Sequence, residues 1–261
     1  MSTEHLKLNG RQELILAQLS GIEFVSVESL SLYFDMAAQT IRRDITKLCD
    51  LGLARRHHGG VGQLPSGENL SYGNRRIINA QEKELIAQRI ASFIPDNASV
   101  ALGIGTTVEA IAKQLRPKKG LKIITNNLNV ASIFFRKSDI EVLVSGGDLR
   151  PTDQDLIGEQ TVQFFNNFHV DFAIVSAGSL DIQRGLMDFD RDNACITQAI
   201  LNNAEHKILA ADMSKWNKKA FVKVAEFSSI DYFFTDQINN SAITNQLQQN
   251  NIEITTCAKD T

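Results

Sequence analysis

From residue 81 onward, short apolar runs alternate with segments of helical periodicity, and this alternation restricts the fold more than any other feature of the chain. The runs 99–102, 121–125, 140–144, 172–176, 208–211, 232–235 and 252–255 are four or five residues long and read as buried strands. Helical segments lie at 81–94, 107–115, 128–135, 158–167 and 192–203, the first with Ile86, Ile90 and Phe93 on one face. Strands that are apolar throughout and separated by helices form an open, largely parallel α/β sheet. Sheets of this kind bind ligands in the crevice beyond the carboxyl ends of their strands.

Polar motifs recur at those strand ends. Gly103-Ile104-Gly105-Thr106-Thr107 follows the first strand and opens a helix. Its glycines let backbone N–H groups approach an anion, and the helix N-terminus favours negative charge. A tight turn with a threonine cap explains that motif equally well. Thr125-Asn126-Asn127, Ser145-Gly146-Gly147, Ser176-Ala177-Gly178 and Asp212-Met213-Ser214-Lys215 follow later strands. Each alone is ordinary turn chemistry; their recurrence along one rim is the stronger observation. The candidate effector residues are therefore Gly105, Thr106, Thr107, Asn126, Asn127, Gly146, Gly147, Gly178, Asp212 and Lys215. Amides and a carboxylate suit hydroxyl groups, while backbone N–H groups and a lysine suit phosphate. This inventory fits a phosphorylated, polyhydroxylated small molecule.

The first 62 residues differ in character. Segment 11–19 reads as an amphipathic helix with Leu14, Ile15 and Leu19 apolar, ended by Gly21. Ser26 can cap a second helix, 27–34, that buries Val27, Leu30 and Phe34. A short turn, Asp35-Met36-Ala37, leads to a third helix, in which Ile41, Ile45 and Leu48 form one buried stripe. Gln39, Arg42, Arg43 and Thr46 then fall on the opposite face, with Thr40 and Lys47 beside them. Asp44, at the border of the stripe, reads as an internal partner for an arginine. Arginine pairs with guanine edges and glutamine with adenine edges, and either arginine can grip phosphate. Between positions 37 and 60 there are five Lys and Arg against two Asp and Glu, on a chain of net charge −3. A local basic strip on an acidic protein marks a shaped surface for a polyanion. Two helices, a turn and a helix with a polar outer face make a helix-turn-helix, and 53–60 supplies a β-ribbon wing. Arg55, Arg56, His57 and His58 of the wing complete the candidate DNA contacts. Adjacent histidines on a strand point apart, so a metal site is not expected there.

The run QTIRRD…L…G…RRHHGG resembles the N-terminal signature of DeoR-type bacterial repressors. Matching stretches include Ile104-Gly105-Thr106-Thr107, Thr125 to Ala131, Gly146 to Arg150 and Asp188-Phe189-Asp190, so the resemblance covers nearly the whole chain. It implies a winged helix-turn-helix joined to a sensor domain that resembles sugar-phosphate isomerase-like folds. It also implies operator binding relieved by a phosphorylated metabolite, glycerol 3-phosphate or another sugar phosphate. Gly103 stands where the family usually carries Asp, and Asn193 and Thr197 stand where it usually has Glu and Lys.

The expected organisation is a winged helix-turn-helix at 1–62, a linker at 63–80 and an α/β sensor domain at 81–261. The hydrophobic content of 43% is ample for a core. No apolar run of about 18 residues exists, so a membrane span is not expected. Cys49, Cys195 and Cys257 are far apart and odd in number, which fits a reducing cytoplasm better than a disulfide framework. Neither a cofactor nor a metal ion is expected. The expected partners are double-stranded operator DNA, a phosphorylated effector and further copies of the chain as a homodimer or homotetramer. Two other readings compete: a sugar-phosphate isomerase-like enzyme carrying a DNA-binding domain, and a protein-interaction module. The enzyme lacks a defensible general-base motif, and the arginine-rich outward face disfavours the interaction module.

Overall fold

The structure is a computed structural model that describes residues 8–19, 22, 24–63, 71–216 and 218–257. The expected helix stop at Gly21 and the 64–70 part of the expected linker lie outside the described residues. The chain divides into two compact units, Met1–Asn79 and Ala80–Thr261.

The first unit contains α1 (Gly10–Leu19), β1 (Phe24–Ser26), α2 (Val27–Phe34), α3 (Ala38–Asp50), β2 (Arg55–His57), β3 (Gly60–Gly62) and α4 (Tyr72–Ile77). Ser26 caps α2 as expected, its side chain accepting from the Ser29 amide, and Asp35 ends the helix in a left-handed conformation. Strands β2 and β3 form an antiparallel hairpin, with β1 on the other edge of β3. Ile15, Leu30, Ile41, Leu48 and Val61 are fully buried and form the core of the unit.

Two details depart from the periodicity reading. The buried residues of α1 are Gln12, Ile15 and Leu19, whereas Leu14 is half exposed. Gln12 is turned inward because its amide bonds a buried carboxylate. Within the stretch read as linker, residues 72–77 are helical, with Ser71 accepting from the Asn74 amide. Tyr72 is buried, and the Arg75 and Arg76 guanidiniums lie 5.3 and 5.0 Å from its ring centre.

The second unit holds α5 (Ala80–Phe93), β4 (Ser99–Leu102), α6 (Thr106–Leu115), β5 (Lys122–Thr125), α7 (Leu128–Ile133) and β6 (Glu141–Val144). There follow β7 (Asp148–Arg150), β8 (Asp155–Ile157), α8 (Glu159–Asn166), β9 (Val170–Val175), β10 (Ser179–Asp181), β11 (Gly185–Asp188) and α9 (Arg191–Asn202). The unit ends with β12 (Ala204–Ala210), β13 (Val222–Ala225), β14 (Tyr232–Thr235), α10 (Ser241–Gln249) and β15 (Glu253–Thr256). Seven strands form one sheet in the order β15-β14-β12-β9-β4-β5-β6, every pair parallel.

Alternate side chains of each strand enter opposite cores. Val100, Leu102, Phe172, Ile174, Ile208 and Phe234 pack with α5, α6 and α7, while Ala101, Ala173, Val175, Leu209 and Phe233 pack with α8, α9 and α10. Burial on both faces is why these strands read as continuous apolar runs. Phe93, placed by periodicity on the buried face of α5, sits at its margin, 39% exposed, against the rings of Phe172, Tyr232 and Phe234. Trp216 is a packing residue, stacked on Phe227. The sequence reading omitted α10 and two small antiparallel sheets, β7-β8 and β10-β11-β13. No helix among the described residues is long and apolar enough to cross a membrane.

Candidate functional site

The first unit gives α3 one buried face and one polar, exposed face. Ile41, Ile45 and Leu48 anchor it, and Gln39, Arg42 and Arg43 are exposed on its outer face. Thr40, Thr46 and Lys47 are half-buried. Asp44 is buried and ties α3 to α1: its Oδ2 accepts from Arg11 Nε at 2.5 Å and its Oδ1 from Gln12 Nε2 at 2.8 Å. The arginine expected beside Asp44 is thus Arg11. A buried carboxylate bonded on both oxygens fixes the axial rotation of α3, and with it the direction of Arg42 and Arg43. Replacing Asp44 by alanine leaves the buried Gln12 amide without its acceptor. The expected loss is about 1–3 kcal/mol from the first unit, seen as a lower urea midpoint by circular dichroism; an unchanged midpoint would refute this role.

The wing divides the basic run between two faces. Register pairs Arg55 with Gly62, Arg56 with Val61 and His57 with Gly60. Gly59 turns the hairpin at φ +80°. Arg55 and His57 therefore share the outer face, where the His57 ring meets Phe24 edge-on at 5.8 Å. Arg56 sits on the side of buried Val61, where its Nη2 donates to Thr46 Oγ1. His58 lies in the exposed turn.

The second unit carries the polar rim. The strand order runs outward in one direction from β4 through β5 to β6, and in the other from β9 through β12 to β14 and β15. The topological switch point therefore falls between β4 and β9. Gly103 N donates to the Ile174 carbonyl across it, and a Cβ placed on Gly105 would lie 3.9 Å from Ser176 Cβ. Gly105 has φ +114°, in the region that favours glycine. It is the N-cap of α6, so the first turn of that helix, with Thr106 and Thr107, begins at this switch point.

Gly178 abuts the loop after β11: a Cβ there would lie 3.0 Å from Phe189 and 3.2 Å from Asp188 Cα. Asp188 accepts from the Phe189 and Asp190 amides at 2.7 and 3.1 Å. Burial holds the Asp188 carboxyl above the usual range; those amides and the charge of Lys215 oppose the shift. Lys215 stands in the turn that follows β12. Asp212 is buried and caps that turn by accepting from the Ser214 amide.

Two predicted groups serve packing, the first wholly and the second in part. A Cβ on Gly147 would strike Thr161 Oγ1 at 2.4 Å and the Ile157 carbonyl at 2.5 Å, and the Gly146 carbonyl accepts from Thr161. Close approach of α8 therefore explains Gly147 without a ligand. Asn126 and Asn127 are fully buried. Asn126 Nδ2 donates to the Leu156 carbonyl, and Asn127 Oδ1 caps α7 by accepting from the Asn129 and Val130 amides. Their other ends, Asn126 Oδ1 and Asn127 Nδ2, together with Ser145 Oγ, are buried without a hydrogen-bond partner among the described residues. Orphan polar atoms are costly, and these three lie at the carboxyl ends of β5 and β6.

Sequence reasoning missed Arg150 as a site residue. Its guanidinium is largely buried and bonds Asp155 at 3.0 and 2.6 Å, Asn193 Oδ1 at 2.5 Å and Asp190 at 3.2 Å. Burial alone would lower the arginine pKa, but the surrounding carboxylates raise it overall. This network fixes the N-terminus of α9, where Asp190 is the cap, against the β7-β8 hairpin. The available signal was the cross-strand pairing of Arg150 with Asp155, visible only once that hairpin is recognised.

Comparison with known proteins agrees with this two-part arrangement. A model described as a DeoR-like helix-turn-helix domain matches residues 11–66, and one described as the DeoR C terminal sensor domain matches residues 78–237. The chain is 34% identical to the HTH-type transcriptional repressor CsqR of Escherichia coli, over 97% of each chain. It is 35% identical to the glycerol-3-phosphate regulon repressor of Haemophilus influenzae, over 97% of this chain and 98% of that protein. A ribose 5-phosphate isomerase A from Methanocaldococcus jannaschii aligns with 54% of this chain and 56% of its own at 16% identity and a TM-score of 0.40, too low a similarity to bear on activity.

Proposed function

This chain belongs to the DeoR family of transcriptional repressors, and from that membership we propose how its two surfaces divide the work. The α3 face reads operator DNA through Gln39, Arg42 and Arg43, with Thr40 and Lys47 beside them. The wing contacts the flanking backbone through Arg55, His57 and His58. The observation that carries this assignment is the Asp44 anchor, which holds the arginine face outward while the opposite stripe stays buried. A single short helix reads few base pairs, so the chain works as a homodimer or homotetramer on paired half-sites, in the cytoplasm.

The effector is a small phosphorylated polyol, with glycerol 3-phosphate first among candidates. Its phosphate sits at the start of α6, on the backbone of Gly105, Thr106 and Thr107, with Lys215 supplying charge. Its hydroxyls use Asp212, Gly178 and the unpartnered atoms of Asn126, Asn127 and Ser145. Binding favours a geometry that fits the operator poorly. The protein acts as a regulator and not as an isomerase. A thermal-shift screen of glycerol 3-phosphate and several sugar phosphates tests the effector class, because a ligand of the folded state raises the melting temperature by mass action. Stabilisation without conversion of the sugar phosphate is expected; no stabilisation by any phosphate compound at millimolar concentration would remove this class.

A further inference from the structure

The run Arg55-Arg56-His57-His58 reads as four bases offered to DNA, yet a strand sends neighbouring side chains to opposite faces. Only Arg55 and His57 lie on the outer face, opposite Gly62 and Gly60, where the Phe24 ring of β1 meets His57 edge-on. Arg56 lies opposite the fully buried Val61, on the side toward α3. Its Nη2 donates to Thr46 Oγ1, and the Thr46 hydroxyl in turn donates to the Arg42 carbonyl at 2.7 Å. Cys49, one turn further along α3, feels the same guanidinium: burial raises its thiol pKa, and the charge and hydrogen bond of Arg56 oppose that rise.

We infer that Arg56 and Thr46 form a clamp that sets the angle between the recognition helix and the wing, so that Arg56 serves operator binding as a positioning residue. The inference rests on the DNA-binding reading above. The wing needs such an anchor because its strands are three residues long, and β2, which carries Arg56, is an edge strand paired only with β3. A planar guanidinium is suited to the task, since its fork of donors reaches Thr46 and Cys49 from one rigid group. Thr46 is correspondingly a link in the clamp: its proton and a lone pair are both engaged within the protein.

Arg56 retains exposed surface, so phosphate contact is the competing role, and the two roles differ in salt dependence. A phosphate contact contributes about one to the slope of log affinity against log salt; a positioning residue contributes nothing to it. The test uses the full chain and a duplex selected by the wild-type protein from a randomised library. Arg56→Met, Thr46→Val and the double variant are measured across a salt series, with Thr46→Ser as the conservative control. Each single loss is expected to weaken binding about tenfold, with the wild-type salt slope and no further loss in the double variant. Thr46→Ser, which keeps the hydroxyl, is expected to bind like wild type. A slope reduced by about one in Arg56→Met, losses that multiply in the double variant, or unchanged binding in both single variants would overturn the clamp. A wild-type chain that recovers no duplex would instead overturn the DNA-binding reading on which it rests.

Discussion

Replacing Arg43 by alanine is expected to weaken operator binding by roughly tenfold to a hundredfold while leaving the fold intact. The size follows from losing one arginine that either pairs with a guanine edge or grips phosphate, worth about 1–3 kcal/mol. The fold is spared because Arg43 is exposed and the stripe of Ile41, Ile45 and Leu48 on the other side of α3 is untouched. Salt dependence separates the two kinds of contact. If Arg43 reads a base, discrimination between the selected duplex and random DNA falls and the salt slope stays near wild type. If it grips phosphate, binding weakens on every sequence and the slope drops by about one. A gel shift at controlled salt reads both outcomes, and a melting curve confirms the folded state. Unchanged affinity would show that α3 is not the element that meets DNA.

Lys215→Ala is expected to shift the response to roughly tenfold to a hundredfold higher effector concentration while DNA binding remains. Lys215 stands in the turn after β12, and its charge acts on Asp188, which borders Gly178 at the switch-point loops. A charge-assisted contact to phosphate is worth about 1.5–3 kcal/mol, or roughly tenfold to a hundredfold in effector affinity. Titration calorimetry with glycerol 3-phosphate, together with operator release followed by gel shift, measures both halves of the prediction. The conservative Lys215→Arg variant retains charge and is expected to recover part of the response. Release of DNA in Lys215→Ala at the wild-type effector concentration would remove this residue from the phosphate site.

The two units were legible to different depths. In the second, all seven strands of the main sheet and helices α5 to α9 followed from apolar runs and periodicity, because a sheet buried on both faces leaves that mark in the chain; α10, between β14 and β15, was not read. The small sheet of β10, β11 and β13 left none: its strands are three or four residues long, and β13 joins β11 from more than thirty residues away. In the first unit the helix-turn-helix was legible from the α3 wheel and the Ser26 cap. The inward turn of Gln12 was not, since its partner Asp44 lies on another helix. Glycines were the most ambiguous marks. Gly105 opens α6 at the switch point, whereas Gly147 is required by the approach of Thr161; both read alike as Gly beside a strand end.

Periodicity, local composition and turn chemistry were enough to establish a basic reading helix, a wing and a parallel sheet with a polar rim, because each depends on neighbours within a few residues. Packing alone decided which of those polar groups remain available. It enclosed Arg150 among Asp155, Asp190 and Asn193, fastened Arg56 to Thr46, filled the space beside Gly147 and left Asn126, Asn127 and Ser145 each with a buried atom that has no partner among the described residues. Partners such as Arg150 and Asn193, forty-three positions apart, meet only when the chain folds. A polar side chain is assigned to structure or to a ligand by what reaches it first, and that competition is settled in three dimensions.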